Sequence, residues 1–110
     1  MYLLYKIAHK KHEITDDEWL MCKDYFEYKC AYCGLPEDEH KIIHNEQLHK
    51  EHAINDGSNG IDNCVPACKS CNSSKRKQDY TDWYVKGNPV FNEERLHRIE
   101  EWLEMMNPTE

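Results

Sequence analysis

The sequence predicts an α+β domain: a small core of strand, loop, strand and helix, with further helices on both sides. Two observations support this fold class. Two Cys-x-x-Cys pairs, Cys30 with Cys33 and Cys68 with Cys71, are separated by 34 residues and can tie the ends of such a core together. Between the pairs, two short stretches of strand character border a turn-rich segment, whereas the sequence outside them has helical periodicity.

The size and composition of the chain set the number of domains. Its 110 residues are 39% hydrophobic and 32% charged, so we expect one domain, residues 1–110, with a thin core. Residues 30–77 form the predicted core, residues 1–29 an N-terminal helical flank and residues 78–110 a C-terminal helical arm. No apolar run is long enough to cross a membrane, and the first eight residues lack the pattern of a signal peptide. We therefore expect a cytoplasmic protein with reduced thiols.

The paired cysteines predict a structural metal site. Two Cys-x-x-Cys turns each aim two thiolates at one point, and four thiolates complete the tetrahedral shell of one Zn²⁺. The predicted zinc ligands are Cys30, Cys33, Cys68 and Cys71. Such a site can contribute roughly 10 kcal/mol to the folding of a small domain. Six cysteines also allow three disulfides or a redox pair, but neither fits paired knuckles in a reducing compartment, and we expect Cys22 and Cys64 to be buried as small hydrophobic residues.

The N-terminal flank contains a helix with a clear start signal. Residues 15–18 (TDDE) have the sequence of a capping box, in which the first and last side chains cap each other's backbone amides. The helix that follows places Trp19, Cys22 and Phe26 on one face. We predict that this face is buried and that the helix ends near Lys29, where it leads into the first cysteine pair.

The core elements are predicted from turn signals and apolar stretches. A strand is predicted over residues 46–52 and a second over residues 61–67, on either side of the turn cluster 56–60 (DGSNG). The second cysteine pair then opens a helix through about Lys77. Pro36 and the three acidic residues after it predict the first turn of a further short helix.

The C-terminal arm has the pattern of an amphipathic helix that docks on the core. Asn92 is a suitable N-cap, and Phe91 and Leu96 occupy the two positions of a hydrophobic staple. The apolar stripe of the helix consists of Leu96, Ile99, Leu103 and Met106. We interpret Trp83, Tyr84 and Trp102 as packing residues rather than base-stacking ones.

The charge distribution indicates whether the chain could bind nucleic acid. The net charge is −7, which is unusual for a protein that binds nucleic acid. However, residues 64–78 contain no acidic side chain and include Lys69, Lys75, Arg76 and Lys77. This basic strip on an acidic chain is consistent with weak, salt-sensitive binding to DNA, and equally with an ordinary solvated helix face.

Several motifs in the right order resemble the zinc-bearing HNH endonucleases. The resemblance runs from Cys30 to about Lys77 and rests on the two cysteine pairs and on residues 48–52 (LHKEH), 61–63 (IDN) and 68–75 (CKSCNSSK). It implies the ββα-metal fold, also called the His-Me finger, which agrees with the element order predicted above. It also implies a nuclease that hydrolyses phosphodiester bonds in DNA.

The resemblance further implies a role for each of five residues. His52 matches the general base that takes a proton from the attacking water, and Asn63 matches the residue that braces the loop behind it. Glu51 and Asn72 match the ligands of a catalytic divalent cation, Mg²⁺ or Mn²⁺, and both have oxygen donors suited to such ions. Lys75 lies one turn beyond Asn72 and is expected to support the phosphate.

Two departures from the family pattern stand in this region. Glu51 replaces the usual Asp, and Asn55 replaces a common proline, so either an active enzyme or a silent relative is consistent with the sequence. Neighbouring strand residues point to opposite faces, so the first strand must end at His52 if Glu51 and His52 share a site. His49 is either a supporting partner or exposed. The other histidines, His9, His12, His40, His44 and His97, are expected at the surface.

The alternative hypothesis is a catalytically silent zinc module that binds nucleic acid or a protein partner through its basic helix. The family resemblance associates such small chains with phages and mobile elements. Whether one strand or both strands of DNA are cut depends on whether two copies pair, and a homodimer is one of the states that the sequence allows.

Overall fold

Two short strands and the helix after them form the centre of the fold, which a computed structural model describes for residues 12–107. The elements in chain order are α1 (Asp16–Tyr25), α2 (Glu37–His44), β1 (His49–His52), a 3₁₀ turn (Ile61–Asn63), β2 (Cys64–Ala67), α3 (Lys69–Lys75), α4 (Tyr80–Trp83) and α5 (Glu93–Met106). No helix in this range combines the length and apolar character needed to cross a membrane. The parts of the predicted flanks at residues 1–11 and 108–110 lie outside the described residues.

The central unit has the predicted order of strand, loop, strand and helix. β1 and β2 pair in antiparallel fashion, with His49 opposite Ala67 and His52 opposite Cys64. The first cysteine turn is attached to this sheet because Ala31 N–H donates to the Pro66 carbonyl at 2.8 Å. Together with the four-cysteine cluster, this arrangement confirms the predicted α+β fold of the ββα-metal type.

Helix α1 has the predicted start and an earlier end. The capping box is present: the Thr15 hydroxyl accepts from Glu18 N–H at 3.1 Å, and Thr15 N–H donates to the Glu18 carboxylate at 2.9 Å. The helix ends at Tyr25 rather than near Lys29, because Glu27 and Tyr28 adopt left-handed backbone angles of φ +58° and +57°. Neither position holds glycine, the residue that usually marks such an ending, so the sequence pattern does not reveal it.

The core elements are shorter than predicted, for local reasons. β1 begins at His49 rather than at residue 46, since Asn45 ends α2 in a left-handed conformation and residues 46–48 lead away from it. β2 begins at Cys64 because residues 61–63 form the 3₁₀ turn. α3 ends at Lys75 instead of Lys77, where Arg76 has φ +54°.

The hydrophobic core joins both flanks to β2 at Cys64. From α1, Cys22 Sγ–H donates to the Cys64 carbonyl at 3.4 Å, and from α5, Trp102 Nε1–H donates to the same oxygen at 2.9 Å. As predicted, Cys22 and Cys64 are buried, and so are the packing residues Trp83, Tyr84 and Trp102. The Asn92 cap is also confirmed, since its side chain accepts from Arg95 N–H.

Trp102 is therefore expected to contribute strongly to stability. Trp102→Ala should lower the free energy of unfolding by about 3–5 kcal/mol, because it empties a large core site and removes the bond to Cys64. Met105→Ala on the same helix is the control, since Met105 is 47% exposed and its loss should cost less than about 0.5 kcal/mol. Urea unfolding of both variants checks this, and equal effects would contradict the packing of α5 through Trp102.

Candidate functional site

The four predicted zinc ligands converge. The Sγ atoms of Cys30, Cys33, Cys68 and Cys71 all lie within 4.8 Å of one another, and Cys33 and Cys68 are 3.7 Å apart. With Zn–S bonds of about 2.3 Å, the edge of a tetrahedral site is about 3.8 Å. The backbone amide of Cys33 points at Cys30 Sγ, and that of Cys71 points at Cys68 Sγ, as in thiolate knuckles. The donor set therefore fits Zn²⁺.

His40 supports the second cysteine turn through a hydrogen bond to its backbone. Its Nε2 accepts from Lys69 N–H at 3.0 Å, and its Nδ1 bonds the Glu46 carbonyl at 2.9 Å. His40 is fully buried, so the expectation of a surface histidine was wrong. Its ring also lies near the side chains of His49 and Glu46, but both of its nitrogens are committed, so this group is a brace for α3 rather than a second metal site.

Glu51 and Lys75 form a buried ion pair beneath β1. Glu51 is 4% exposed and Lys75 is 0% exposed. One carboxylate oxygen of Glu51 accepts from Tyr32 Oη–H at 2.8 Å, and the other from Lys75 Nζ at 2.9 Å. Burial raises the pKa of Glu51, while the ammonium of Lys75 and the hydroxyl of Tyr32 oppose that rise.

The ammonium of Lys75 is fully used inside the protein. Besides Glu51, it donates to the backbone carbonyl of His52 at 2.9 Å and to that of Gln78. An ammonium group has three donors, so all are accounted for. Lys75 thus holds the end of β1 against the end of α3 and does not reach the surface. This placement removes it from the exposed basic strip, which consists of Lys69, Arg76 and Lys77.

His52 lies at the end of β1, where a site shared with Glu51 requires the strand to stop. Its side chain points away from Glu51, which is buried on the side of α3. His52 Nε2 bonds Asn59 Oδ1 at 3.0 Å. Because an amide oxygen accepts, this bond places the proton on Nε2 and the basic lone pair on Nδ1.

Asn63 ties together the loop that follows His52. Its Oδ1 accepts from Ile54 N–H at 2.9 Å, and its Nδ2 donates to the carbonyls of Ile54 and Ser58, each at 2.9 Å. Asn63 is 6% exposed. Gly57 makes room for it, since a Cβ atom there would lie 2.8 Å from Asn63 Nδ2.

The position that departs from the family's proline has a structural use. Asn55 N–H donates to the Asp79 carboxylate at 2.9 Å, and the next residue of that segment, Tyr80, donates its N–H to the Ala53 carbonyl at 2.8 Å. Proline lacks the N–H that the first of these bonds requires. Asn55 therefore fastens the loop after His52 to the start of α4.

Asn72 faces His49 on the outer part of β1. Asn72 Nδ2 lies 3.0 Å from His49 Nδ1, and His49 Nε2 lies 2.7 Å from the Glu46 carboxylate. The hydrogen bond with His49 lowers the pKa of Glu46. His49 is thus a partner of Asn72, one of the two alternatives expected for it. The structure brings Glu51 to Lys75 and Asn72 to His49, and it describes no bond between Glu51 and Asn72.

Comparison with known proteins assigns this site to a family. Residues 30–78, which contain both cysteine pairs, the ion pair and the His52 loop, match the family described as HNH endonuclease. Residues 30–78 thus belong to the HNH endonuclease family. No solved structure matches the chain significantly.

A curated relative extends the similarity beyond the HNH domain. The chain is 51% identical over 107 residues to YoqL of Bacillus subtilis (strain 168), an SPbeta prophage-derived protein that is assigned by name to the HNH endonucleases. The match covers 93% of this chain and 46% of YoqL, so the chain spans about half the length of that relative.

The sequence patterns did not predict the contacts that three residues make at the HNH site. Tyr32 lies inside the first cysteine turn, where its side chain had no assigned partner, and Asn59 lies in a turn cluster whose composition is explained by turn chemistry alone. His12 was expected at the surface, yet its ring stacks on His52 with centroids 4.1 Å apart. Its position in the chain carries no signal of this contact, because 39 residues lie between it and His52.

The cysteine cluster predicts that metal content and folding depend on the same thiols. Cys68→Ser should lose the bound zinc and most of its folded structure, since zinc contributes roughly 10 kcal/mol or more in such domains. Cys64→Ala is the matched control: Cys64 is buried but lies outside the cluster, so this variant should keep one zinc per chain. Metal analysis and circular dichroism check both variants, and a folded, zinc-loaded Cys68→Ser protein would contradict the four-cysteine site.

Proposed function

We propose that this protein is an endonuclease that hydrolyses phosphodiester bonds in DNA, with His52 as the general base. The observation that carries the proposal is the fixed orientation of His52 within an HNH domain: its Nε2 is bonded to Asn59, and its backbone carbonyl is bonded to Lys75. A base must be held with its lone pair toward the water that it deprotonates. The bond from Asn59 to the edge of the half-buried His52 ring supplies this fixed orientation.

Asn63 and Lys75 act in this proposal by positioning His52. Asn63 makes three hydrogen bonds to the backbone of Ile54 and Ser58. These bonds fix the conformation of the loop that follows His52. Lys75 fixes the backbone of His52 by donating to its carbonyl. The family pattern suggests that Lys75 contacts the phosphate; since its ammonium is buried, we assign it to positioning, and Arg76 and Lys77 are the exposed cations next to it.

The structural metal is proposed to be one Zn²⁺ held by the four cysteines. Its shell would have no open position, so it would hold the second cysteine turn and the start of α3 rather than take part in hydrolysis. His40 adds to this support through its bond to Lys69 N–H.

The family pattern assigns a catalytic Mg²⁺ or Mn²⁺ to Glu51 and Asn72, and the arrangement of these two residues does not fit such an ion. Both Glu51 oxygens are bonded inside the core, and Asn72 is bonded to His49. A hydrated Mg²⁺ needs accessible oxygen donors in octahedral geometry. The proposed role of His52 therefore does not involve a cation at Glu51. A cation held by Glu51 and Asn72 would require Glu51 to leave its ion pair with Lys75.

The bonding of both Glu51 oxygens inside the core favours a second function, that of a non-catalytic binding module. If Glu51 stays in its ion pair, the domain is a silent zinc module that binds nucleic acid through the exposed residues Lys69, Arg76 and Lys77 at the two ends of α3. For either function, the prophage origin of YoqL supports a phage or mobile-element source for this chain.

Cleavage of supercoiled plasmid tests the proposed function. The zinc-loaded protein is assayed with added Mg²⁺, with added Mn²⁺ and with neither, so that no chelator strips the structural site. We expect nicking or linearisation that falls by at least about 100-fold in His52→Ala, the usual contribution of a general base. His97→Ala is the control, because His97 is an exposed histidine on α5 and should leave the rate unchanged.

Two outcomes of this assay would contradict the proposal. Cleavage by His52→Ala at the wild-type rate would remove His52 as the base. Absence of cleavage under every condition, from folded protein that still binds DNA, would favour the silent module. In that case, replacing Lys69, Arg76 and Lys77 together with Gln should weaken DNA binding and make the remaining binding less dependent on salt.

A further inference from the structure

Residues 12–13 contact His52 and the loop after it, although sixteen residues (14–29) separate them from the matched HNH domain. The His12 ring stacks on the His52 ring, with centroids 4.1 Å apart and planes inclined by 26°. Glu13 N–H donates to the Asn59 carbonyl at 2.7 Å. Ile14 packs against the hydrophobic core, and Thr15 caps α1 directly after it. The segment is therefore anchored at one end and touches the site at the other.

The two contacts act on His52 from different directions. Asn59 holds the edge of the His52 ring through the bond from Oδ1 to Nε2, and Glu13 holds the backbone of Asn59. His12 covers a face of the same ring. The side chain of His52 has two rotatable bonds, and an edge contact together with a face contact restricts both of them.

From these contacts we propose that His12 is a positioning residue for His52 and that residues 12–13 complete the active site of this protein. The proposal rests on the proposed function for its catalytic consequence. The stack itself is independent of that function. His12 acts through His52 and does not contact the reacting atoms.

The test compares His12→Ala with His12→Phe in the full chain. Phe keeps an aromatic face over His52, so it should retain most of the activity, whereas Ala should lower kcat about 10- to 100-fold with KM nearly unchanged. His97→Ala is again the control, because it removes an exposed histidine on α5. Both kinetic constants are measured on the same DNA substrate.

A second readout does not depend on cleavage. In the NMR spectrum, the Hε1 and Hδ2 resonances of His52 should move in His12→Ala through loss of the ring current, whereas in His12→Phe the phenyl ring should keep them shifted in the wild-type direction. If the wild-type protein cuts no DNA, the proposed function fails while these resonances still report on the stack.

Three results would overturn the proposal. Unchanged His52 resonances in His12→Ala would show that the rings do not stack in solution. An unchanged kcat in a cleaving protein would show that the stack does not position the base. A rise in KM at constant kcat would instead make His12 a contact for DNA.

Discussion

The buried ammonium of Lys75 is the interaction on which the arrangement of the site depends. It joins the Glu51 side chain, the end of β1 at the His52 carbonyl and the chain beyond α3 at the Gln78 carbonyl. Taking both charges of such a pair out of water is costly, and removing one partner typically costs about 3–5 kcal/mol because the other charge is left uncompensated. Glu51 and Lys75 are therefore tied to each other, and the position of His52 is tied to both.

Helix α3 is fixed at both of its ends, and this gives the small domain a defined geometry. Its first turn carries Cys68 and Cys71 of the thiol cluster and receives the His40 bond at Lys69. Its last turn carries Lys75. The helices outside the HNH domain support β2, because α1 and α5 contribute side chains to the core and both donate a hydrogen bond to the Cys64 carbonyl. A domain with a thin core thus positions the loop after His52 through the thiol cluster, His40 and Lys75.

Much of this fold follows from local signals, whereas the site depends on burial that local signals do not reveal. The capping box at Thr15, the cysteine spacing and the Asn92 cap each have a sequence pattern with one structural meaning. By contrast, the turns that follow α1 and α3 contain non-glycine residues with positive φ, Tyr28 and Arg76 among them, which no propensity predicts. The burial of Lys75 could not be predicted either, because a lysine in a basic stretch carries no sign of facing a carboxylate inside the protein.

A double-mutant cycle on Glu51 and Lys75 measures the coupling between the two buried charges. The free energy of unfolding of the zinc-loaded protein is determined by urea denaturation for wild type, Glu51→Gln, Lys75→Met and the double variant. We predict that each single change costs about 3–5 kcal/mol and that the double variant is at least about 2 kcal/mol more stable than the sum of the two losses implies. Losses that add to within about 0.5 kcal/mol would show that the two side chains do not interact, and would contradict the central role of this ion pair.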